Sequence, residues 1–389
     1  MLTSHDKCTC CAACADACPK QCIEMVDYHN GFKYPKIDTV QCIDCAICEK
    51  VCHANTPTEK FENKVKKCYA VQSKDKNVLI HSTSGGVFTH LAKHSSKVAG
   101  ASYSENFRIK HIVADEQNLR FLNGSKYAKS ETQGIFNHVK KLLDSKQQIL
   151  FTGTPCQVAA LKTFLNNENA YLTTCEVFCH GVPSNELFYR YIENLQMNAK
   201  SKILKYIFRS KRKGWQNPRI EYIFADNNNT HVIKNQLEDG FWMAFGLHYS
   251  LMESCFHCKY RIKNRISDIS IGDFWGIENL KNKFEYKEGV SAIFVNTEKG
   301  EKLINLVKSE INILECSQND ILKGNAYLIS QYEKPQLYSQ FWENERKMSL
   351  QELFDKYCKI NNRFSYTLSS IKKKLKMVYK KLRNQLRKY

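Results

Sequence analysis

The sequence predicts an α+β chain in three parts: a small cysteine-rich module, a larger mixed α/β domain and a basic helix. Three observations carry this expectation. Eleven of the eighteen cysteines fall within the first 68 residues. After Cys68, apolar runs of strand length alternate with stretches of helical spacing. Beyond Asp355 there is no acidic residue, and residues 359–389 hold eleven lysines and arginines. A chain of 389 residues suits two domains better than one. The expected divisions are 1–67, 68–358 and 359–389, with the middle part read as 68–145 followed by 146–358.

Composition removes several classes. Apolar residues make up 43% and charged residues 25%, so the chain can bury a core and is not of disordered type. Eighteen cysteines in 389 residues fall below the roughly 8–10% of a short disulfide scaffold. No apolar run reaches the roughly 18 residues of a membrane span. The first twenty residues lack the basic, apolar and small-residue segments of a secretory signal. A cytoplasmic protein is the expectation.

The first module is defined by its cysteine spacing. Cys8, Cys11, Cys14 and Cys18, followed by Pro19, match C-x2-C-x2-C-x3-C-P. Cys42, Cys45, Cys48 and Cys52 repeat the spacing, with His53 where proline is usual. Three closely spaced thiolates suit three corners of a [4Fe-4S] cubane, and the fourth cysteine of each run serves the other cluster. One cluster is expected on Cys8, Cys11, Cys14 and Cys52, the other on Cys42, Cys45, Cys48 and Cys18. Zinc also takes four thiolates, but its sites pair two C-x2-C knuckles, not two runs of four. The pattern is that of a bacterial-ferredoxin-like two-cluster domain, of βαββαβ type. Residues 1–67 carry nine lysines against nine acidic residues, so the module is neutral before any metal binds. Cys10 and Cys22 lie outside the spacing and read as small buried thiols.

In the second part, residues 147–151 (QQILF) read as a buried strand, and 158–165 have helical spacing. Thr154 suits the helix cap and Pro155 its first position. Cys156 then sits in the first turn, where free N–H groups and the helix dipole favour a thiolate. Residues 171–178 (YLTTCEVF) read as another strand leading to Cys179, and Cys255 and Cys258 form a C-x2-C pair. Cys156, Cys179, Cys255 and Cys258 are candidates for a third four-cysteine site. Unrelated buried cysteines and a zinc knuckle on the last two are the competing readings. Cys68, Cys175, Cys316 and Cys358 fit no spacing. Ser84-Gly85-Gly86 opens a helical stretch over 87–94, whose start offers N–H donors to a phosphate, although a plain capped helix start explains the same residues. No G-x-G-x-x-G follows a strand, so a Rossmann-type site is not indicated. Residues 208–215 (FRSKRKGW) read equally well as a phosphate clamp or a solvated basic turn. Asp273 follows a strand-like run over 266–271 and suits either a cofactor contact or a turn cap.

Residues 82–86 (STSGG), 124–127 (GSKY), 153–157 (GTPCQ), 179–184 (CHGVPS) and 267–276 (SDISIGDFWG) occur in that order. With the Cys255/Cys258 pair they resemble the family of coenzyme F420 hydrogenase/dehydrogenase beta subunits over about residues 68–320. The resemblance implies an oxidoreductase with a flavin-binding catalytic domain, in which FAD lies beside one [4Fe-4S] cluster. It assigns Cys156, Cys179, Cys255 and Cys258 to that cluster, Ser84, Gly85 and Gly86 to the FAD pyrophosphate, and Lys126 and Tyr127 to the flavin. Thr154 and Asp273 complete the candidate cofactor-binding residues. No general acid or base is assigned, because the cofactor carries hydride chemistry. Members with a ferredoxin segment resemble products of surface-polysaccharide gene clusters. The expected partners are therefore ferredoxin or another reduced carrier and a small or lipid-linked glycan intermediate. The alternatives are an electron-transfer subunit, linked or not to coenzyme F420, and a non-enzymatic cluster-bearing protein.

The tail explains most of the charge, carrying eleven of the nineteen net positive charges. Ile371, Leu375, Val378, Tyr379, Leu382 and Leu386 draw one apolar stripe among nine lysines and arginines. This suits an amphipathic helix on an anionic membrane surface, or a solvated or partner-bound terminal helix. Nucleic acid is not expected, because aromatics are not interleaved as a stacking surface needs. Flotation with anionic vesicles is expected to recover the full chain and lose a 1–358 truncation. Equal recovery of both contradicts the membrane reading.

Overall fold

The computed structural model describes residues 3–280 and 284–359, so the basic tail lies outside the described residues. In the cysteine-rich module, helices α1 (Ala13–Ala17) and α2 (Ile47–Lys50) flank an antiparallel hairpin of β1 (Ile23–Asp27) and β2 (Lys33–Ile37). The two cysteine runs fold alike. Ala12 and Ala46, at equivalent positions, both take left-handed backbone angles (φ 60° and 55°) and start α1 and α2. Cys10 and Asp44 are also left-handed at equivalent positions. The expected βαββαβ order is not seen among the described residues. The stretch before α1 is taken up by the cysteine loop. The stretch after α2 forms a 3-10 turn (Thr58–Lys60) and then pairs Asn63 with Arg265 of the next domain.

The larger domain is built on an eight-stranded sheet in the order β13-β3-β12-β11-β7-β6-β4-β5. Its strands are β3 (Lys67–Ser73), β4 (Lys97–Tyr103), β5 (Ile109–Ala114), β6 (Ile149–Gly153), β7 (Leu172–Val177), β11 (Ile269–Asp273), β12 (Ser291–Val295) and β13 (Ile311–Glu315). β4, β6, β7 and β11 are parallel. β12 is antiparallel to both β11 and β3, so β3 runs with the parallel set. The carboxyl ends of these five strands therefore share one edge. In open α/β sheets that edge is where ligands bind.

Side chains alternate across the sheet as its pleat requires. Tyr69 and Val71 join α4 (Val87–Lys93) and α9 (Glu298–Val307) on one face. Cys68 and Ala70 join α10 (Gln318–Gly324) on the other. Further along that second face, α5 (Ile135–Asp144) and α6 (Pro155–Leu165) cover β4 and β6. Helix α3 (Lys76–His81) sits between β3 and α4. The expected start of α6 is observed: Thr154 and Gln157 form a reciprocal capping box, with Pro155 at the first position.

Between β7 and β11 the chain adds α7 (Asn185–Ala199), an antiparallel sheet of β8 (Ile203–Ser210), β9 (Arg219–Phe224) and β10 (His231–Asn235), and α8 (Gly240–Gly246). An aromatic core around Phe188, Phe208 and Phe241 joins these to α11 (Tyr338–Glu345) and α12 (Leu350–Tyr357). Phe32 and Tyr34 of the module lie in the same core. The break read at 145/146 separates no two bodies, because β4 from one side pairs with β6 from the other. Among the described residues no helix is long and apolar enough to cross a membrane.

The module is docked at several points. The Asp16 carboxylate accepts from Gly134 N (2.7 Å) and Phe136 N (3.3 Å), capping α5 from outside its own chain segment. Thr132 Oγ1 donates to Cys11 O at 2.7 Å. Ser184 Oγ donates to Gly31 O at 2.6 Å. Gly31 has φ +68°, and a Cβ there would meet Ser184 Oγ at 2.5 Å, so both conformation and space require glycine.

Candidate functional site

The cysteines of the module are grouped crosswise. Cys8, Cys11, Cys14 and Cys52 line one pocket, together with Thr9, Cys10 and His53. Cys18, Cys42, Cys45 and Cys48 line a second, together with Cys22, Ile43 and Ile47. Four thiols lining one pocket, three from one run and one from the other, suit the corners of a cubane.

Burial raises thiols inside these sets and outside them, as at Cys68 and Cys358. Burial pushes the Cys11 thiol up to about 12, and the neighbouring Cys8 and Cys52 raise it further against Lys129. Crowded thiols of this kind give up their protons only when metal takes the charge. Lys129 is 6% exposed and supplies a positive charge beside this set. Cys10 and Cys22 are buried as expected, yet both stand against the ligand sets. Cys10 N donates to Cys8 Sγ at 3.4 Å, and Cys22 Sγ lies 3.4 Å from Cys18 Sγ.

The third set gathers from the carboxyl edge. Cys156 lies in the first turn of α6, directly after β6. Cys179 follows β7, and Cys255 ends a 3-10 turn (Glu253–Cys255) that leads to Cys258. Burial pushes Cys179 up to about 12, with Cys156 and Cys258 adding to the rise. Burial likewise raises Cys255 and Cys258, and each also feels other thiols of the set. Thr154 Oγ1 lies 3.1 Å from Cys156 Sγ, so Thr154 belongs to this group and not to the other cofactor candidates. Arg261 lines the site, donating to His180 O (3.0 Å) and Tyr327 O (2.7 Å) and stacking 3.8 Å from the Tyr332 ring. His180 pairs with Tyr332 OH (2.8 Å) and His248 Nε2 (3.1 Å). Burial, then His248 and Arg261, push its pKa down to about 3.

The remaining cofactor candidates form one connected patch along the same edge. Ser125 N donates to Thr83 Oγ1 at 3.0 Å, joining the 124–127 loop to the 82–86 loop. Lys211 Nζ donates to Ser84 O (2.8 Å), Leu79 O (2.6 Å) and Glu288 O (2.7 Å). Arg209 forms an ion pair with Asp273, with a second contact at 3.2 Å, and reaches Tyr127 OH at 3.3 Å. Trp215 Nε1 donates to Asp273 Oδ1 at 2.8 Å, and the Trp215 and Trp275 rings stack 5.0 Å apart. Tyr127 packs on Phe245, which packs on His180, so this patch adjoins the third cysteine set.

Two details differ from the sequence reading. Gly85 serves packing: a Cβ there would lie 2.2 Å from Val71 O and 2.5 Å from Ser291 N. Its N–H is already committed to Ser291 Oγ at 2.9 Å, so that donor faces the sheet. Two lysines, Lys126 and Lys211, stand beside the loop instead. Lys126 Nζ donates to Phe121 O (3.0 Å), Asn123 O (2.9 Å) and Gly124 O (3.3 Å), and burial pushes it down to about 7. Burial pushes Lys211 down to about 8. Tyr127, Trp242 and Trp275 give the patch an aromatic surround that suits a planar ligand such as a flavin.

Sequence reasoning flagged the basic segment holding Arg209 and Lys211 but gave no role to Arg261 or His180. Only His53, standing in the place of a proline, left a visible signal.

Two family models, one curated relative and one solved structure are similar to parts of the chain. Residues 146–320 match the family described as the C terminus of the coenzyme F420 hydrogenase/dehydrogenase beta subunits. Residues 7–56 match the 4Fe-4S dicluster domain. The F subunit of the F(420)H(2) dehydrogenase of Methanosarcina mazei is 23% identical over 338 residues, covering 81% of this chain and 86% of that protein. A chain of the xenon-derivatized F420-reducing [NiFe] hydrogenase complex from Methanosarcina barkeri is 15% identical with a TM-score of 0.47, covering 74% of this chain and 95% of that one.

Lys126 gives a pH signature. A lysine in the unfolded chain titrates near about 10.4. With the folded value at about 7, the unfolded chain binds more protons from about pH 7 to about pH 10. Stability therefore rises with pH through this window. Lys126→Met is expected to flatten the rise in urea midpoints measured between pH 7 and 9, and an unchanged slope contradicts the assignment.

Proposed function

We propose an iron–sulfur flavoprotein oxidoreductase with three [4Fe-4S] clusters and FAD on one chain, a reading supported by the match of residues 146–320 to the C terminus of coenzyme F420 hydrogenase/dehydrogenase beta subunits and of residues 7–56 to the 4Fe-4S dicluster domain. The observation that carries this reading is the crosswise grouping of the eight module cysteines beside a third four-cysteine set. When bound, the clusters supply one-electron carriers and the flavin exchanges electron pairs for single electrons.

The chain's own residues bind, orient and shield. The three cysteine sets supply the thiolates. Lys129 and Arg261 set positive charge beside the first and third sets, which offsets the negative charge of thiolate-bound metal. Lys126 and Lys211 hold the surrounding loops in place through backbone carbonyls, and Tyr127 and Trp275 offer ring faces and edges to a dinucleotide. Arg209, held in place by Asp273 and Trp215, keeps a fixed charge at the carboxyl edge. His180 stays neutral at physiological pH and fills the space between this patch and the third set.

The electron donor in this reading is ferredoxin or a similar reduced carrier, and the acceptor is an intermediate of surface-polysaccharide synthesis. The fused dicluster module supports the first, since it gives the chain its own one-electron entry. A second reading is an electron-transfer subunit serving a partner reductase. It is favoured by the Methanosarcina mazei relative, whose name describes one subunit of a dehydrogenase.

Anaerobic purification is expected to give coloured protein with one FAD and about twelve iron per chain, from three cubanes. Cys258→Ser is expected to lose about four of these and keep the rest. Colourless or zinc-containing protein contradicts the proposal. Reduction of a glycan-synthesis intermediate by the chain and reduced ferredoxin without any partner protein separates the enzyme from the subunit reading.

A further inference from the structure

His53 occupies the position where its cysteine run has proline in the first repeat. It is 2% exposed and bonded on both sides. One ring nitrogen meets Thr9 Oγ1 at 2.7 Å, between Cys8 and Cys10. The other meets the Tyr260 hydroxyl at 2.6 Å. A proline there has no side-chain donor or acceptor and makes neither contact.

Tyr260 comes two residues after Cys258 and is 4% exposed. Its hydroxyl lies within electrostatic reach of Cys156 and Cys258 from the third set and of Cys11 and Cys52 from the first. Between them, Lys259 Nζ donates to His53 O (2.5 Å), Ala54 O (3.3 Å) and Thr56 O (2.5 Å). Three consecutive residues thus give one thiol to the third set, one ammonium to the turn after Cys52 and one phenol to His53. The second set lies farther out, with Cys45 exposed and Ile43 57% exposed.

We propose that His53 and Tyr260 are positioning residues that hold the Cys8/Cys11/Cys14/Cys52 set in fixed register with the Cys156/Cys179/Cys255/Cys258 set. The first set is then the inner centre of the module and the second set the outer one. An electron crossing the junction leaves one centre as the other gains it, and no bond is made or broken. The inference rests on the cluster reading above. It adds that the departure from proline at position 53 is a docking feature of this two-part chain.

The test compares full-length wild type, Tyr260→Phe, His53→Pro and His53→Gln, all purified without oxygen. Iron content reads cluster loading. The EPR spectrum after dithionite reduction reads magnetic coupling between centres. Trypsin cleavage at the exposed Lys64 and Lys66 reads docking of the module. Tyr260→Phe and His53→Pro are expected to keep wild-type iron, to lose coupling, and to be cut about three- to tenfold faster, in line with one or two lost hydrogen bonds. His53→Gln, whose amide keeps a donor and an acceptor, is expected to restore both readings. Wild-type coupling and cleavage in Tyr260→Phe and His53→Pro overturn the junction while the cluster reading stands. Wild-type protein without iron overturns both.

Discussion

Closing a short backbone loop around a group of thiols forces turns that L-residues resist. Cys10, Ala12, Asp44 and Ala46 all take left-handed angles, and none is glycine. Each costs roughly 1–2 kcal/mol against the ordinary helical region. The cost falls at equivalent positions of the two runs, which is how strain is distributed when function requires it. A module with a two-stranded sheet and two short helices has little core to offset it. Metal–thiolate bonds are the natural source of the missing stability, because binding free energy at such sites is folding free energy.

The same weakness explains the docking. Phe32 and Tyr34 are buried in the core of the larger domain and not in one of the module's own. Asp16 caps a helix that begins at Ile135, and Lys259 ties down the turn after Cys52. The module is therefore continuous with the domain it serves. On that domain, the parallel strands bring Cys156, Cys179 and Asp273 to one edge, although they lie far apart in sequence. Insertion of β8–β10 between β7 and β11 then delivers Arg209 and Lys211 to the same edge.

What the sequence revealed depended on range. Cysteine spacing and the Thr154-Pro155 helix start are local patterns, so both were legible. The hydrogen bond between His53 and Tyr260 joins residues 207 positions apart, and no local pattern points to it. The outer strands of the module were expected from analogy and gave way to contacts with Arg265 and Lys259, which only the assembled chain supplies. Gly85 was read as a ligand-facing glycine because composition cannot tell a phosphate from a strand carbonyl as the close neighbour. Lys126 was placed by resemblance, but the burial that lowers its pKa comes from the loop it folds around itself.

The central claim is that twelve thiols on this chain form three separate four-thiolate sites. Native mass spectrometry of the anaerobically purified full-length chain reads this directly. The expected spectrum has three successive [4Fe-4S] mass increments above the apoprotein, with Cys52→Ser and Cys258→Ser each removing one. A spectrum showing zinc increments, or one in which Cys52→Ser and Cys258→Ser remove the same cluster, contradicts it.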